Sequence, residues 1–229
     1  MSYEAASVFN TLLNQEATED IVLSAKKAQS GKNGLNFNKL LTLLGCEFVI
    51  EGSSRSIYKF TYNGQSVAIK VACILDGFSQ NRREASLLKE IDGFHVPILY
   101  YVHPTNLYII CEFIGGCWHN DDFDLCKPSS ELEWRVDYLL RDANPDINID
   151  SDDIEIEWDN FIEQVVDSYV NEKEVPTEFK LRNPLYGEFS IGYGLQNVLH
   201  LIQEYEISDL HIGNFAIRNN DLIIVDLGS

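Results

Sequence analysis

The carboxy-terminal part of the sequence joins a polar loop to a predicted β-hairpin. The loop contains Asp209 and, five positions later, Asn214. Residues 219–221 give a turn signal, and residues 222–225 form a continuous apolar run that is typical of a buried strand. Asp226 follows directly, before a Leu-Gly pair. The pattern predicts a strand that holds Asp226 rigidly at its end, and a plain hairpin with two polar ends is the alternative.

Length and composition indicate a globular protein. At 229 residues, with 45% hydrophobic content, the chain can bury a core in one or two compact units. No apolar run approaches the ~20 residues of a membrane helix, and residues 1–30 lack a signal-peptide pattern. We therefore expect a soluble, cytoplasmic protein with no membrane partner. Five cysteines without paired spacing indicate neither a disulfide framework nor a zinc site.

The formal net charge of −19 is concentrated in one third of the chain. Residues 118–188 hold 20 acidic and 6 basic side chains, with predicted helices at 132–140 and 154–170. We expect no nucleic-acid partner, because phosphate binding requires clustered Lys and Arg. The Asp/Asn ladder and glycine of a calcium loop are absent, which favours an exposed linker. A basic protein partner fits this segment, and a solvated acidic surface is the alternative.

The first half of the chain changes from a helical to a β pattern. Residues 1–45 predict a helical amino-terminal extension whose last helix, at 35–44, ends at Gly45. Asn63-Gly64 is a hairpin-turn signal between two of the β-rich runs that follow. These runs predict a five-stranded antiparallel sheet with strands at 48–50, 57–62, 66–71, 96–101 and 107–113.

Lys70 ends an otherwise apolar run, Val-Ala-Ile, on the third predicted strand. An ammonium on the inner face of such a strand is unfavourable unless it meets an anion. A helix predicted at residues 79–90 follows, and its Glu84 is the natural counter-ion. A lysine at a sheet edge, with its ammonium reaching water, is the alternative.

Two further segments have backbone groups that a ligand could approach. The loop between the first two strands is small and polar, although it has one glycine where phosphate loops usually have three, and it consists of Gly52, Ser53, Ser54 and Arg55. The fifth strand gives way to two glycines after Glu112, Phe113 and Ile114. An ordinary hairpin and an ordinary strand end are the alternatives.

Together these elements, in order and spacing, resemble the protein-kinase-like superfamily over about residues 46–229. The stretch Asp209-Leu-His-Ile-Gly-Asn214 is similar to aminoglycoside and lipopolysaccharide kinase-like enzymes, and the Gly-Ser-Ser-Arg loop resembles small bacteriophage-encoded kinase-like proteins. The resemblance implies an α+β, bilobal fold: a five-stranded antiparallel lobe at 46–115 and a reduced, mainly helical, acidic lobe at 116–229.

The resemblance also implies a site for ATP and Mg²⁺. Catalytic roles fall on Asp209, as the base that orients the acceptor hydroxyl, and on Lys70 and Glu84 at the phosphates. Asn214 and Asp226 would hold the metal. The remaining nucleotide contacts would come from the loop, Gly52, Ser53, Ser54 and Arg55, and from the backbone of Glu112, Phe113 and Ile114.

The sequence departs from the family pattern in two places. Ile207-Ser208 replaces the His-Arg that precedes the base in protein kinases, and the sequence ends at Ser229, so we expect a truncated lobe with no activation segment. One hypothesis is a phosphotransferase that acts on a protein, either itself or a host protein. The alternative is a catalytically weak, pseudokinase-like protein whose acidic surface engages and inhibits a basic host protein, with nucleic-acid mimicry as one form. A second chain could supply acceptor contacts in an oligomer, and a phage-encoded chain would lie in the host cytoplasm.

Overall fold

The chain forms two compact units, Met1–Phe113 and Ile114–Leu227. The predicted sheet lies in the first unit, and the polar loop with its hairpin lies in the second. The computed structural model describes residues 3–16, 38–115, 132, 156, 158–160, 162–163, 181–183, 187–189, 195–219 and 221–227.

The first unit contains the predicted five-stranded antiparallel sheet, which confirms the α+β fold class. The described elements are α1 Tyr3–Glu16, α2 Asn38–Leu43, β1 Glu47–Glu51, β2 Arg55–Tyr62, β3 Gln65–Ala72, α3 Leu75–Ile91, β4 Leu99–Val102 and β5 Tyr108–Glu112. The strand order in the sheet is β1-β2-β3-β5-β4, and α3 lies between β3 and β4 in the chain.

Two predicted chain reversals have the backbone geometry that their residues favour. Asn63 and Gly64 have φ angles of 50° and 73°, and they join β2 to β3 as a two-residue hairpin between the paired Tyr62 and Gln65. Gly45, with a φ of 80°, follows α2 in the left-handed conformation that ends many helices. The predicted ends of these elements are therefore confirmed.

Strand β3 is covered on both faces. Val67, Ile69 and Val71 alternate onto one face, where they join the main hydrophobic core of the unit. Ala68, Lys70 and Ala72 point to the other face, on which α3 packs against β3. The apolar run around Lys70 is therefore explained by burial on both sides rather than by a sheet edge.

Helix α1 covers the face of the sheet opposite α3. Phe9 is fully buried, and its ring centroid lies 5.3 Å from that of Phe60 and 6.4 Å from that of Tyr108. The Tyr108 hydroxyl donates a hydrogen bond of 2.8 Å to Oδ1 of Asn10. The described part of the segment predicted as an extension is thus part of the core of this unit.

Helix α3 begins four residues before its predicted start and brings its polar side chains to the sheet. Asn81, Glu84, Ala85 and Leu88 are buried along one face. The helix ends before Asp92, whose φ of 55° places it in the left-handed region. Because Asn81 and Glu84 are polar and lie on the buried face of the helix, they require hydrogen-bonding or charged partners on the sheet.

The second unit contains short described elements around the polar loop. Residues Ile212–Asn214 form one turn of 3₁₀ helix directly before the strand Phe215–Arg218. The other elements are β6 Leu181–Asn183, β7 Gly187–Phe189, α4 Leu195–Glu204, β8 Phe215–Arg218 and β9 Asp221–Ile224. The predicted hairpin of the carboxy-terminal stretch corresponds to β8 and β9.

The prediction of one helix over residues 187–205 is wrong. Gly187–Phe189 is a strand that pairs antiparallel with β6, and the described helix is limited to Leu195–Glu204. Three glycines within eight residues, at 187, 192 and 194, explain the error, because glycine opposes helix formation by about 1 kcal/mol each. The predicted apolar face of the helix is present in Val198, Leu199 and Ile202, which are buried.

The acidic segment contributes one packed aromatic residue to the polar loop. Trp158 is fully buried in a helical stretch, and its indole N–H donates 3.2 Å to the carbonyl of Leu210. Its ring centroid is 5.1 Å from that of Phe215 at the start of β8. Residues 132, 156, 159–160 and 162–163 are also helical, and the other residues of the two helices predicted in this segment lie outside the described part of the chain.

No helix in the described ranges combines the length and the hydropathy that crossing a membrane would require.

The burial of α1 predicts that Phe9→Ala will destabilise the first unit by about 3–5 kcal/mol, because a large side chain is removed from a closed core. The matched control is Thr11→Ala on the exposed face of the same helix, which should change the free energy of unfolding by no more than about 0.5 kcal/mol. Urea denaturation measures both. Equal effects of the two substitutions would contradict the assignment of α1 to the core.

Candidate active site

Lys70 lies on β3 with its charged end buried. It is 3% exposed, and its Nζ lies 2.5 Å from Oε1 of Glu84, which is fully buried on α3. The predicted pairing of these two residues is therefore present. A buried ammonium without a counter-ion would be strongly unfavourable, so Glu84 is what allows this lysine to lie inside the unit.

A second cation reaches the other oxygen of Glu84. Arg55 is buried, and its Nη1 hydrogen-bonds Oε2 of Glu84 and lies 3.3 Å from Oδ1 of Asn81. The sequence places Arg55 in the candidate phosphate loop, but it is the first residue of β2. Both of these Nη1 contacts are with residues of α3, and a direct role of Arg55 in cofactor binding stays a prediction.

The candidate phosphate loop is a tight turn fastened to α3. The Gly52 N–H donates a hydrogen bond of 2.8 Å to the carbonyl of Arg55, so the backbone amide of the loop's glycine already has a partner within the loop. Ser54 is buried, its hydroxyl donates 2.5 Å to Oε1 of Gln80, and its carbonyl accepts 2.9 Å from the Cys73 N–H. Gly52 and Ser53 are exposed. Phosphate binding by this loop stays a prediction that concerns chiefly these two residues.

Gly77 is a residue of this region that the sequence analysis does not single out. A Cβ at this position would overlap the carbonyl oxygen of Ser54 and lie 3.0 Å from Cα of Ala72. The loop can therefore approach α3 this closely because residue 77 has no side chain. A glycine inside the first turns of a helix is the sequence signal that could have indicated this close approach.

The end of β5 has the strand-to-loop change that the sequence predicts. Glu112 is the last residue of the strand, and its N–H donates 2.8 Å to the carbonyl of Ile98. Its Oε2 accepts a hydrogen bond of 3.2 Å from the Ile98 N–H, so both groups hold the strand end to the residue directly before β4. Phe113 ends the first unit, and Ile114 is buried in a small apolar cluster of the second. Adenine contacts by this backbone stay a prediction.

Cys111 is the titratable neighbour of the Lys70 pair on the same face of the sheet. It pairs in register with Ala68, two positions from Lys70, and it is 1% exposed. Burial raises the pKa of the Cys111 thiol to about 12, although the positive charge of Lys70 acts in the opposite direction. The thiol is therefore neutral near pH 7 and adds no negative charge beside the lysine.

In the second unit, hydrogen bonds fix the polar loop. The side-chain amide of Asn214 donates 3.0 Å to the carbonyl of Asp209, and its own N–H donates 2.9 Å to the carbonyl of His211. Nδ1 of His211 accepts 3.1 Å from the Gly213 N–H and caps the 3₁₀ turn. On a neutral ring the proton is then on Nε2, which lies 3.6 Å from Oδ1 of Asp209.

The hairpin places Asp226 next in the chain to a residue bonded to Asn214. Phe215 pairs with Ile224 in register, and one step further out the Val225 N–H donates 2.8 Å to the carbonyl of Asn214. Asp226 follows and is partly buried. The predicted strand is present and ends at Ile224, one residue earlier than predicted, and the Val225 hydrogen bond links Asn214 to the residue directly before Asp226.

The donor set of this loop fits Mg²⁺. Because Nδ2 of Asn214 donates to the Asp209 carbonyl, that bond leaves Oδ1 as an oxygen for a ligand. A carboxylate and an amide oxygen are ligands that this hard cation accepts while keeping several waters. Among the described residues no group of three or more His, Cys, Asp or Glu side chains could hold a metal ion. A site of this kind would therefore rely on Asn214, Asp226, water and substrate oxygens.

The comparisons with known proteins concern the fold alone. No protein-family model and no curated protein sequence matches the chain. The solved ternary complex of streptomycin, ATP and APH(2")-IIa is 14% identical, with a TM-score of 0.34 over 84% of this chain and 69% of that one. Aminoglycoside phosphotransferase APH(4)-Ia is 11% identical, with a TM-score of 0.32 over 83% and 70%. An ethanolamine kinase of Plasmodium vivax is 12% identical, with a TM-score of 0.32 over 80% and 56%.

The five-stranded antiparallel sheet of the first unit is the sheet that the sequence resemblance implies. The finer resemblance to bacteriophage-encoded proteins stays a prediction.

Gly213→Ala is expected to remove the His211 cap and to destabilise the chain by about 1 kcal/mol. The new Cβ would lie 2.8 Å from Cε1 and 3.0 Å from Nδ1 of His211 and would displace the ring. In a His211→Ala background the same substitution should change the free energy of unfolding by less than about 0.5 kcal/mol, since the ring is absent. Denaturation of the four chains gives the comparison, and equal effects in both backgrounds would refute the proposed contact.

Proposed function

We propose that this protein is an ATP- and Mg²⁺-dependent phosphotransferase. The observation that carries the proposal is the ion pair of Lys70 and Glu84, both at least 97% buried, on a sheet of the order expected for the nucleotide lobe of a kinase. Hydrophobic residues of similar volume would usually stabilise such a core at least as well. A fixed, buried ammonium is therefore better explained by an anionic ligand than by stability.

In this proposal, residues of the second unit would provide the base and the metal ligands that phosphoryl transfer to a hydroxyl requires. Asp209 would accept the hydroxyl proton as the acceptor oxygen bonds to the γ-phosphorus and the bond from phosphorus to the ADP oxygen breaks. Its side chain is 45% exposed, so an acceptor can approach it. Asn214 and Asp226 would hold Mg²⁺, which neutralises charge on the phosphates. Lys70 would contact the phosphates and Glu84 would hold its position.

We further propose a protein as the acceptor, either this chain or a host protein. Two observations support this class: the accessible carboxylate of Asp209, and the excess of acidic side chains at residues 118–188, which would favour a basic, hydroxyl-bearing partner. The same acidic excess supports the alternative, a pseudokinase-like protein that binds a basic partner and catalyses little. The phosphotransferase would require Lys70, Asp209, Asn214 and Asp226 for its activity, whereas the binding protein would not.

Calorimetry with ATP should detect binding that requires Mg²⁺. Lys70→Ala and Asp226→Ala should each weaken this binding by at least about tenfold, or ~1.4 kcal/mol, because each removes a charge assigned to the phosphates or the metal. Matched controls are Lys89→Ala on the exposed side of α3 and Asp221→Ala at the start of β9, which should bind normally. Absence of binding at millimolar ATP would overturn the proposal and favour the acidic binding protein.

Asp209→Asn should separate binding from transfer. We expect ATP affinity to stay within about threefold, since Asp209 is assigned to the acceptor, while transfer falls by about 10²–10⁴-fold. Transfer of the γ-phosphate to the protein itself, followed with labelled ATP and located by mass spectrometry, is the first assay. Transfer at the natural rate by the Asp209→Asn chain would remove Asp209 from the proposed mechanism.

A further inference from the structure

Arg55 ties the first residue of β2 to the middle of α3. Its side chain is 5% exposed, and its Nη1 contacts Oε2 of Glu84 and Oδ1 of Asn81. Both partners are fully buried. A buried guanidinium with two partners on one helix has its position determined by that helix.

Asn81 is itself oriented by backbone carbonyls of β3 and of the turn before β5. Its Nδ2 lies 2.9 Å from the carbonyl of Asn106, 3.2 Å from that of Leu107 and 3.4 Å from that of Lys70. Carbonyl oxygens only accept hydrogen bonds, so the NH₂ group must face them and Oδ1 must face Arg55. Arg55 is therefore held from the side of the helix by an amide whose orientation is fixed.

Glu84 has one cation at each carboxylate oxygen, Arg55 at Oε2 and Lys70 at Oε1. A carboxylate held at one oxygen can still turn about its last torsion, whereas one held at both has a fixed plane. The position of the Lys70 ammonium then depends on Arg55, although the two cations lie on different strands. An arginine suits this task better than a lysine, because the rigid, planar guanidinium fixes the directions in which its Nη1 donates to the two acceptors.

We propose that Arg55 is a positioning residue for the phosphates of the nucleotide: acting through Glu84, it fixes the place of the Lys70 ammonium. That a nucleotide binds beside Lys70 rests on the proposed function, whereas the position of the Lys70 ammonium is a property of the chain itself. The proposal differs from a direct contact between Arg55 and the nucleotide, which is what the sequence predicts for a loop residue.

A double-mutant cycle separates positioning from direct contact. In the full chain, Arg55→Gln should weaken Mg²⁺-dependent ATP binding by about tenfold, and Glu84→Gln by at least as much. Once Glu84→Gln is present, adding Arg55→Gln should change the affinity by less than about twofold, because Arg55 acts through the residue already altered. Arg55→Lys, which keeps the charge without the fork, should recover part of the loss. The matched control is Arg82→Gln, the same change at an exposed position of α3, with natural affinity expected.

A second measurement does not depend on a nucleotide. In the chain labelled with ¹⁵N-lysine, the Lys70 ammonium resonance can be assigned by its loss in Lys70→Met. Arg55→Gln should shift this resonance or remove it through faster exchange with water, whereas Arg82→Gln should leave it unchanged. Thermal denaturation of each variant ensures that both experiments are made on folded protein.

The outcomes distinguish this inference from the proposed function. If the natural chain does not bind ATP with Mg²⁺, the proposed function fails, and the Lys70 resonance still decides the role of Arg55. If Arg55→Gln weakens ATP binding equally with and without Glu84, Arg55 contacts the nucleotide directly and the positioning role is overturned. An unchanged Lys70 resonance in Arg55→Gln overturns it as well.

Discussion

The first unit depends on one buried carboxylate that holds two cations. Glu84 links α3 to β3 through Lys70 and to β2 through Arg55, so a single side chain joins three elements. Removing one partner of a buried ion pair leaves an uncompensated charge and typically destabilises by 3–5 kcal/mol, about as much as a large core side chain contributes. The relative position of helix and sheet is therefore set by charge as well as by packing. The Ser54 contacts with Gln80 and Cys73 fasten the adjoining loop to the same group of elements.

The burial of α1 explains how this charged group can be held in place. The buried polar atoms of Lys70 and Glu84 lie on the face of β3 toward α3. On the opposite face, Phe9 and its neighbours on α1 close a core around Tyr58, Phe60 and Tyr108. Burial of aromatic side chains at about 25 cal/mol per Å² makes that core a major source of stability for the unit. The strand that carries Lys70 is thus held by hydrophobic packing on one face and by ion pairs on the other.

The sequence predicts those features that depend on local chemistry. The Asn63-Gly64 turn, the end of α2 at Gly45 and the strand before Asp226 are determined by residues a few positions apart. The pairing of Lys70 with Glu84 could also be predicted, because both belong to a known order of elements. Arg55 and Asn81 could not be paired in this way, since they lie 26 positions apart and their meeting depends on how α3 packs. The helix predicted over 187–205 failed for the opposite reason, since apolar spacing outweighed the glycines in that prediction.

In the second unit the backbone, more than side-chain packing, determines which oxygens can act together. The Phe215–Ile224 register puts the Val225 N–H opposite the Asn214 carbonyl, and Asp226 is the next residue. The Asn214 amide then holds the Asp209 carbonyl, so the order of hydrogen bonds runs from the hairpin to Asp209. These hydrogen bonds come from the backbone of Val225 and from the side chain of Asn214, and Asp226 is placed by its neighbour in the chain. The positions of Asp209, Asn214 and Asp226 along the loop are therefore determined by the register of the hairpin.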